Sequence, residues 1–245
     1  MIKLSIIIAI LNSHRVVVRQ IRHFKNMRLP KTVEIIFVDD GSNPPLYYQN
    51  CGLRNFKILF TNDKRPWTQG LARNMGAKEA KGEYLFFTDI DHIITREAID
   101  DVLKFDGDRM MFIRYYGILD RNGNIVSDAK SMLEFGLDPS RVRTQRGFMC
   151  GGMHGNTYAI KKNIFYRIGG YDPRDCQLMF HTGADDRRFN NKYNDLTATE
   201  GIQNPIIGSK IYFYPVGKFR TDGDNNPFGL FHGLSLEQVP QPMLR

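Results

Sequence analysis

The chain has 245 residues, of which 42% are hydrophobic and 24% charged, so it is long enough for one large or two small globular domains. No stretch approaches the ~18–20 apolar residues that a membrane span needs, so we predict no transmembrane segment. The formal net charge of +8 at pH 7 favours anionic partners: a nucleotide, a nucleic acid or, by peripheral contact, an anionic membrane surface. The three cysteines form no C-x-x-C pair and leave an odd thiol, which favours a reducing compartment and predicts a cytoplasmic location.

Strand and helix signals alternate through residues 1–105. Apolar runs predict strands over 4–10, 33–38, 56–60 and 84–88, and helical spacing predicts helices over 16–27 and from 68 or 69 to 80. This alternation is typical of βαβ units, whose strands lie parallel in one sheet. The sequence therefore predicts an α/β fold with a Rossmann-like, mainly parallel central sheet flanked by helices.

The pattern becomes mixed after residue 105. Predicted strands cover 110–116, 118–126, 157–160 and 211–216, and short helices cover 161–168 and 185–192. Asn122-Gly123 indicates a hairpin turn, and the Gly, Asn, Asp and Pro content of 217–228 predicts a mobile loop. We predict one domain over 1–245, in which a nucleotide-binding half (1–105) is fused to a smaller, mixed, acceptor-binding and catalytic subregion (106–245).

Two carboxylates follow the strand predicted at 84–88. Asp89 and Asp91 are spaced i, i+2 at the predicted carboxyl edge of the sheet, where open α/β sheets bind ligands. Carboxylates with no Cys or His between them suit Mg²⁺ or Mn²⁺ holding a diphosphate better than structural zinc. The alternative is a strand end with two solvated aspartates, because Asp is common where chains turn.

Three further groups of polar residues lie at the ends of predicted elements. Asp39 ends the second strand and can accept the imide N–H of a uracil, although Asp-Asp-Gly-Ser is also simply a good turn. Arg73 and Asn74 lie in the first turns of a predicted helix, where free N–H groups favour anions; the alternative is a surface Arg on an Ala-rich helix. Asp185 and Asp186 begin another helix, either as N-terminal caps or as a source of the general base for an acceptor hydroxyl.

Four motifs follow one another along the chain: a strand followed by Asp-Asp-Gly-Ser, then Gly-x-Ala-Arg-Asn-x-Gly, then Asp-x-Asp, and then Gly-Gly-Tyr-Asp before an acidic pair. Together and in this order, they resemble the motifs of the family 2 glycosyltransferases with the GT-A fold. The resemblance runs from Ile6 to about Phe189. It implies metal-dependent, inverting transfer of a sugar from a nucleoside-diphosphate sugar, usually a UDP-sugar, to an acceptor hydroxyl, with Mn²⁺ or Mg²⁺ as the cofactor.

The resemblance also implies roles for individual residues. The residues implied in donor binding are Ala9, Asp39 (at the base), Arg73 (at the diphosphate), Asn74, Asp89 (at the ribose or sugar) and Ile90. The implied metal ligands are Asp91, Asp89 and His232, with His154 as a rival to His232. The implied catalytic base is Asp186, and Asp185 is implied as an acceptor contact.

The chain departs from the family pattern in three places. The first strand continues into residues 11–13 without the usual Pro-x-Tyr-Asn, so the base of the donor nucleotide is open between uracil, thymine and another base. His92 follows the metal motif, and Asp185 stands where Glu is usual. Lys218 and Arg220 lie in the predicted loop at 217–228, which we expect to close over the donor and exclude water.

The sequence leaves alternatives both for the acceptor and for the class of protein. The family's ordinary acceptors are a glycan, a lipid-linked sugar or a protein, and the basic charge adds a hydroxylated base in DNA. A nucleotidyltransferase is a second enzyme class, but residues 11–15 lack the Gly-rich loop that such an enzyme usually carries after the first strand. A non-catalytic nucleotide-sugar-binding protein is a third alternative, against which the acidic residues at 89, 91, 185 and 186 argue.

Overall fold

The computed structural model describes residues 1–48, 51–63, 65, 68–134, 143–144, 147–148, 150–174 and 184–214. Its strands are β1 (Leu4–Ile10), β2 (Val33–Asp39), β3 (Phe56–Phe60), β4 (Tyr84–Asp89), β5 (His92–Ile93), β6 (Arg109–Tyr116), β7 (Ile118–Leu119), β8 (Ile125–Val126), β9 (Arg143–Thr144), β10 (Gly147–Phe148), β11 (Cys150–Lys161) and β12 (Ile206–Phe213). Its helices are α1 (His14–Asn26), α2 (Gln69–Glu79), α3 (Arg96–Lys104), α4 (Ala129–Glu134), α5 (Lys162–Arg167) and α6 (Ala184–Glu200).

An eight-stranded sheet in the order β3-β2-β1-β4-β11-β6-β12-β5 forms the centre of the fold. All its strands run in one direction except β11 and β5, which are antiparallel to their neighbours. The predicted mainly parallel α/β sheet is therefore confirmed. Two small antiparallel ladders, β7 with β8 and β9 with β10, complete the strands.

Helices cover both faces of the parallel half of the sheet. Every residue of β1 and β2 is buried, as expected for parallel strands that are covered on both sides. Alternate β1 side chains enter opposite cores: Ile6 and Ile8 pack with apolar residues of α1 and α3, whereas Ile7 packs with residues of α2, α5 and α6. The parallel half of the sheet is therefore enclosed between two layers of helices.

The carboxyl ends of β1, β2 and β4 lie at one edge of the sheet. Ala9 is in register with Val38 on one side and with Asp89 on the other, and Ile10 is in register with Asp39. Parallel pairing thus brings the Asp-Asp-Gly-Ser turn and the Asp-x-Asp segment, which are 50 residues apart in sequence, to the same edge.

The mixed half differs more from the sequence prediction. The hairpin at Asn122-Gly123 is confirmed by the β7–β8 pairing, with Gly123 at a φ of 83°. The strand predicted over 157–160 begins at Cys150, because its polar, Gly-rich first half still pairs with β6 through a register shift. The last strand is Ile206–Phe213, earlier in the chain than the predicted 211–216, and α6 continues to Glu200, beyond the predicted end at 192. The helix α3 was not predicted. The loop predicted at 217–228 lies outside the described residues.

None of the helices in the described part of the chain is both long and apolar enough to cross a lipid bilayer.

Candidate active site

A buried arginine links two of the predicted acidic motifs. The Nη2 of Arg73, from α2, donates to Asp89 Oδ1 at 2.5 Å, and its Nη1 donates to Asp186 Oδ1 at 2.9 Å and to the Tyr171 hydroxyl at 3.2 Å. The Arg73 side chain is 0% exposed. The alternative of a surface arginine is therefore wrong, and the end of β4 and the start of α6 belong to one site.

Close packing of α2 on the sheet explains how Arg73 reaches this position. A Cβ atom added at Gly76 would lie 2.4 Å from Ile7 Cγ2, so this side of the helix tolerates only a hydrogen in place of a side chain. Ala72 and Ala77 are buried in the same core as Ile7. The small residues of the Gly-x-Ala-Arg-Asn-x-Gly motif thus bring the helix, and the arginine that it carries, close to the sheet edge.

Asp89 is held by three donors. Besides Arg73, Gln69 Nε2 donates to Asp89 Oδ1 at 2.7 Å, and Asn156 Nδ2 donates to Asp89 Oδ2 at 3.2 Å. Burial raises the pKa of Asp89, but the positive charge of Arg73 and the other neighbouring polar groups, including the Asn156 amide, together outweigh burial and hold the pKa below its usual value. Asp89 is therefore a fixed carboxylate whose two oxygens both accept protein hydrogen bonds.

Asp91 has the opposite environment. No side chain in the described ranges hydrogen-bonds its carboxylate, and His92 Nδ1 lies 3.8 Å from its Oδ1. Burial and the negative charge of Asp89 raise the pKa of Asp91 to about 7, although Arg114 opposes the shift. A divalent cation would offset the repulsion between Asp91 and Asp89, and Mg²⁺ and Mn²⁺ prefer oxygen ligands. Because both Asp89 oxygens already accept side-chain hydrogen bonds, Asp91 is the better candidate for a Mg²⁺ or Mn²⁺ ligand.

Asp89, His92 and His154 offer ligand atoms within 4.8 Å of one another. Arg114 Nη1 lies 2.9 Å from His92 Nε2, and because a guanidinium only donates, Nε2 must accept and Nδ1 carries the proton. Burial, with a contribution from Arg114, lowers the pKa of His92 to about 3, so the ring is neutral. His92 therefore presents an N–H group, 3.0 Å from the Thr157 hydroxyl, rather than a lone pair for a metal.

His154, the rival metal ligand in the sequence prediction, borders the same cluster. Its Nδ1 accepts the backbone N–H of Asn156 at 3.3 Å, and burial lowers its pKa, so the neutral ring carries its proton on Nε2. A role for His154 as a metal ligand stays a prediction. His232 lies outside the described residues.

The acidic pair begins α6. The backbone N–H of Asp186 donates to Asp185 Oδ1 at 2.9 Å, so the buried Asp185 carboxylate does satisfy a backbone donor at the helix start, as the capping alternative expected. Burial raises the pKa of Asp186 to about 7 despite Arg73, with Asp185 and Asp89 adding to the rise. A carboxylate with a pKa near neutrality is suited to general-base catalysis.

Other residues predicted at the donor site hold the backbone in place. Both Asp39 oxygens accept backbone N–H groups, from Ser42 at 2.8 Å and Leu46 at 2.7 Å. The Asn74 amide donates to the Tyr171 carbonyl at 2.8 Å and accepts from the Tyr171 N–H at 3.0 Å. In the structure the Asp39 and Asn74 side chains hold backbone groups of the site in place. Their contacts with a base or a diphosphate stay predictions.

Ala9 and Ile90 lie beside the acidic residues. Ala9 is in register with Asp89 at the sheet edge, whereas the Ile90 side chain is buried in the core that contains α1 and α3. Ile90 can therefore contact a donor only through its backbone. The sequence did not predict three further residues of the site: Gln69, Arg114 and Asn156. Gln69 directly precedes the Gly-x-Ala-Arg-Asn-x-Gly motif, whereas Arg114 and Asn156 belong to no motif that could have indicated them.

Residues 5–165, more than half of the chain, match the family model described as Glycosyl transferase family 2. Poly(ribitol-phosphate) beta-N-acetylglucosaminyltransferase TarS of Staphylococcus aureus is 32% identical over 111 residues, which are 43% of this chain and 19% of TarS. TarP of S. aureus, with the same enzyme description, is 30% identical over 124 residues, which are 47% of this chain and 37% of TarP. The chain thus spans less than half the length of these relatives.

Solved structures share the architecture. Staphylococcus aureus TarS 1–349 in complex with UDP-GlcNAc matches with a TM-score of 0.52 at 17% identity, covering 89% of this chain and 60% of that one. Mannosyltransferase PcManGT from Pyrobaculum calidifontis, in complex with GDP-Man and Mn²⁺, matches with a TM-score of 0.50 at 16% identity, covering 85% and 56%. At these identities the likeness establishes the fold alone, which agrees with the predicted GT-A fold.

Proposed function

The chain belongs to glycosyltransferase family 2, and from that premise we propose that it transfers a sugar from a UDP-sugar to a hydroxyl of a glycan or polyol-phosphate polymer, using a divalent cation bound by Asp91. The observation that carries the proposal is the Arg73 bridge between Asp89 and Asp186. It joins the Asp-x-Asp segment to a carboxylate of near-neutral pKa, a combination that a non-catalytic binding protein would not need. The UDP-GlcNAc complex of TarS supports the choice of donor.

The proposed reaction is a single displacement with inversion at the anomeric carbon. Asp186 accepts the proton of the acceptor hydroxyl as its oxygen attacks, and the bond from the anomeric carbon to the nucleoside diphosphate breaks on the opposite face of the sugar. Arg73 keeps Asp186 oriented, and its charge favours the ionised base. Asp91 would hold the cation, and the chemistry that a bound cation supplies there is neutralisation of the departing diphosphate.

A glycan or polyol-phosphate polymer is the acceptor that we favour. TarS and TarP are both named for poly(ribitol-phosphate), and the net charge of +8 suits an anionic polymer. Neither of those names mentions DNA, so a DNA acceptor rests on charge alone. Transfer to DNA is therefore one outcome of the acceptor test and not the favoured one.

The proposal predicts release of UDP from one UDP-sugar in the presence of acceptor and Mn²⁺, with at least a tenfold loss of rate in EDTA. A panel of UDP-, GDP- and TDP-sugars should be assayed against poly(ribitol-phosphate), an uncharged glycan and hydroxymethylated DNA. Repeating each assay at low and high salt separates anionic from neutral acceptors, since phosphate contacts weaken steeply with salt. Failure of every donor would contradict the proposal, and an undiminished rate in EDTA would contradict the role of the metal.

A further inference from the structure

The peptide backbone around Asp91 is held by residues distant in sequence. Gln20 Nε2 donates to the carbonyls of Ile90, at 3.2 Å, and His92, at 2.6 Å. The backbone N–H of Tyr214 donates to the carbonyl of Asp91 itself, at 2.9 Å. The carbonyls of three consecutive residues, with Asp91 in the middle, are therefore fixed from outside the segment.

Gln20 is an unusual residue for its position in α1. It is 0% exposed, and its helix packs Val16, Val17, Ile21 and Phe24 into the core. A buried amide among apolar side chains is costly unless its donors find partners. The partners of the Gln20 amide nitrogen are the carbonyls of Ile90, inside the Asp-x-Asp segment, and of His92, directly after it. The helix thus carries a polar side chain where packing alone would favour Leu or Met.

These contacts determine where the Asp91 carboxylate points. Fixing the peptide groups before and after a residue sets its backbone torsions and hence the direction of its Cα–Cβ bond. The Asp91 carboxylate has no side-chain hydrogen bond within the described part of the chain, so the backbone is what orients it.

We propose that Gln20 is a positioning residue that aims the Asp91 carboxylate at the divalent cation. The inference rests on the proposed function, because it needs a metal at Asp91. Groups that orient a metal ligand without touching the metal typically contribute about 10- to 100-fold to metal affinity. We expect a contribution of that size from Gln20, although its amide nitrogen donates to backbone carbonyls rather than to the Asp91 carboxylate.

The test is the affinity for Mn²⁺ in the presence of saturating UDP, measured by titration calorimetry. Gln20→Met keeps the length of the side chain but removes the donors, and we expect about a 10- to 100-fold weaker Mn²⁺ affinity. Gln20→Asn keeps an amide but falls short of both carbonyls, and should weaken Mn²⁺ binding in the same direction. Val17→Ala, a buried change in the same helix without a hydrogen bond to the segment, serves as the control for lost packing.

The outcomes separate this inference from the proposed function. Weaker Mn²⁺ binding in both Gln20 variants, with wild-type affinity in a Val17→Ala protein of similar melting temperature, would support the positioning role. Wild-type Mn²⁺ affinity in a folded Gln20→Met or Gln20→Asn protein would overturn it while leaving the proposed function intact. Absence of Mn²⁺-dependent UDP binding in the wild type would overturn both.

Discussion

Replacing Asp186 with Asn should lower kcat for sugar transfer by about 10²- to 10⁴-fold, the usual contribution of a general base. The amide retains an oxygen that can accept the Arg73 hydrogen bond, so the site keeps its shape while losing the group that takes the proton. Binding of UDP with Mn²⁺, measured by calorimetry, should change little. A matched control is Asp195→Asn, an exposed change on the same helix.

The pH dependence of kcat/KM is a second measurement that tests Asp186 as the base. At saturating Mn²⁺ the wild-type kcat/KM should fall about tenfold per pH unit below 7, because the pKa of Asp186 is raised to about 7 and only the ionised carboxylate accepts a proton. The Asp186→Asn protein should lack this acidic limb. Retention of more than a tenth of the wild-type kcat would contradict the assignment of Asp186 as the base.

Replacing Arg73 with Met should destabilise the protein by about 3–5 kcal/mol, because it leaves partly buried carboxylates without their counter-charge. Asp89 and Asp186 each lose a hydrogen bond from Arg73, and both lose the guanidinium charge that favours their ionised forms. Urea denaturation measures the change, and activity should be lost as well. Lys78→Met, an exposed change on the same helix, should shift stability by no more than about 0.5 kcal/mol.

The dependence of this penalty on pH follows from proton binding. Without Arg73, the pKa values of Asp89 and Asp186 rise in the folded state but not in the unfolded state. The folded variant then binds more protons than the unfolded chain above the ordinary pKa of Asp, so its stability falls as the pH rises. The penalty should therefore be larger at pH 8 than at pH 5. A constant penalty across this range would show that lost packing, rather than uncompensated charge, is the cause.

The parallel half of the fold was predictable because its signals are local. The apolar runs of β1, β2 and β4 end in carboxylates or directly before turns, and parallel pairing then requires those ends to meet at one edge. The link between Asp89 and Asp186 could be predicted only through the family resemblance. Nothing local to either segment indicates that Arg73 bridges them.

The contacts that could not be predicted are long-range and individual. Gln20 and Asn156 reach the Asp-x-Asp segment from about 70 residues away, and single amides leave no periodic pattern in a sequence. The tautomer of His92 depends on Arg114, which belongs to another strand. The first half of β11 was missed because glycine and polar residues have low strand propensity, and its pairing is decided by its neighbours.

Thermal stabilisation by nucleotides tests the central claim most directly. UDP, GDP, CDP and TDP, each with and without MnCl₂, should be compared on the wild type and on Asp91→Asn. We predict a Mn²⁺-dependent rise in melting temperature with UDP, worth about 2.7 kcal/mol at 100 times the dissociation constant, that is lost in a folded Asp91→Asn protein. No Mn²⁺-dependent shift with any of the four nucleotides, or an equal shift in Asp91→Asn, would contradict a metal-dependent nucleotide-sugar site at Asp91.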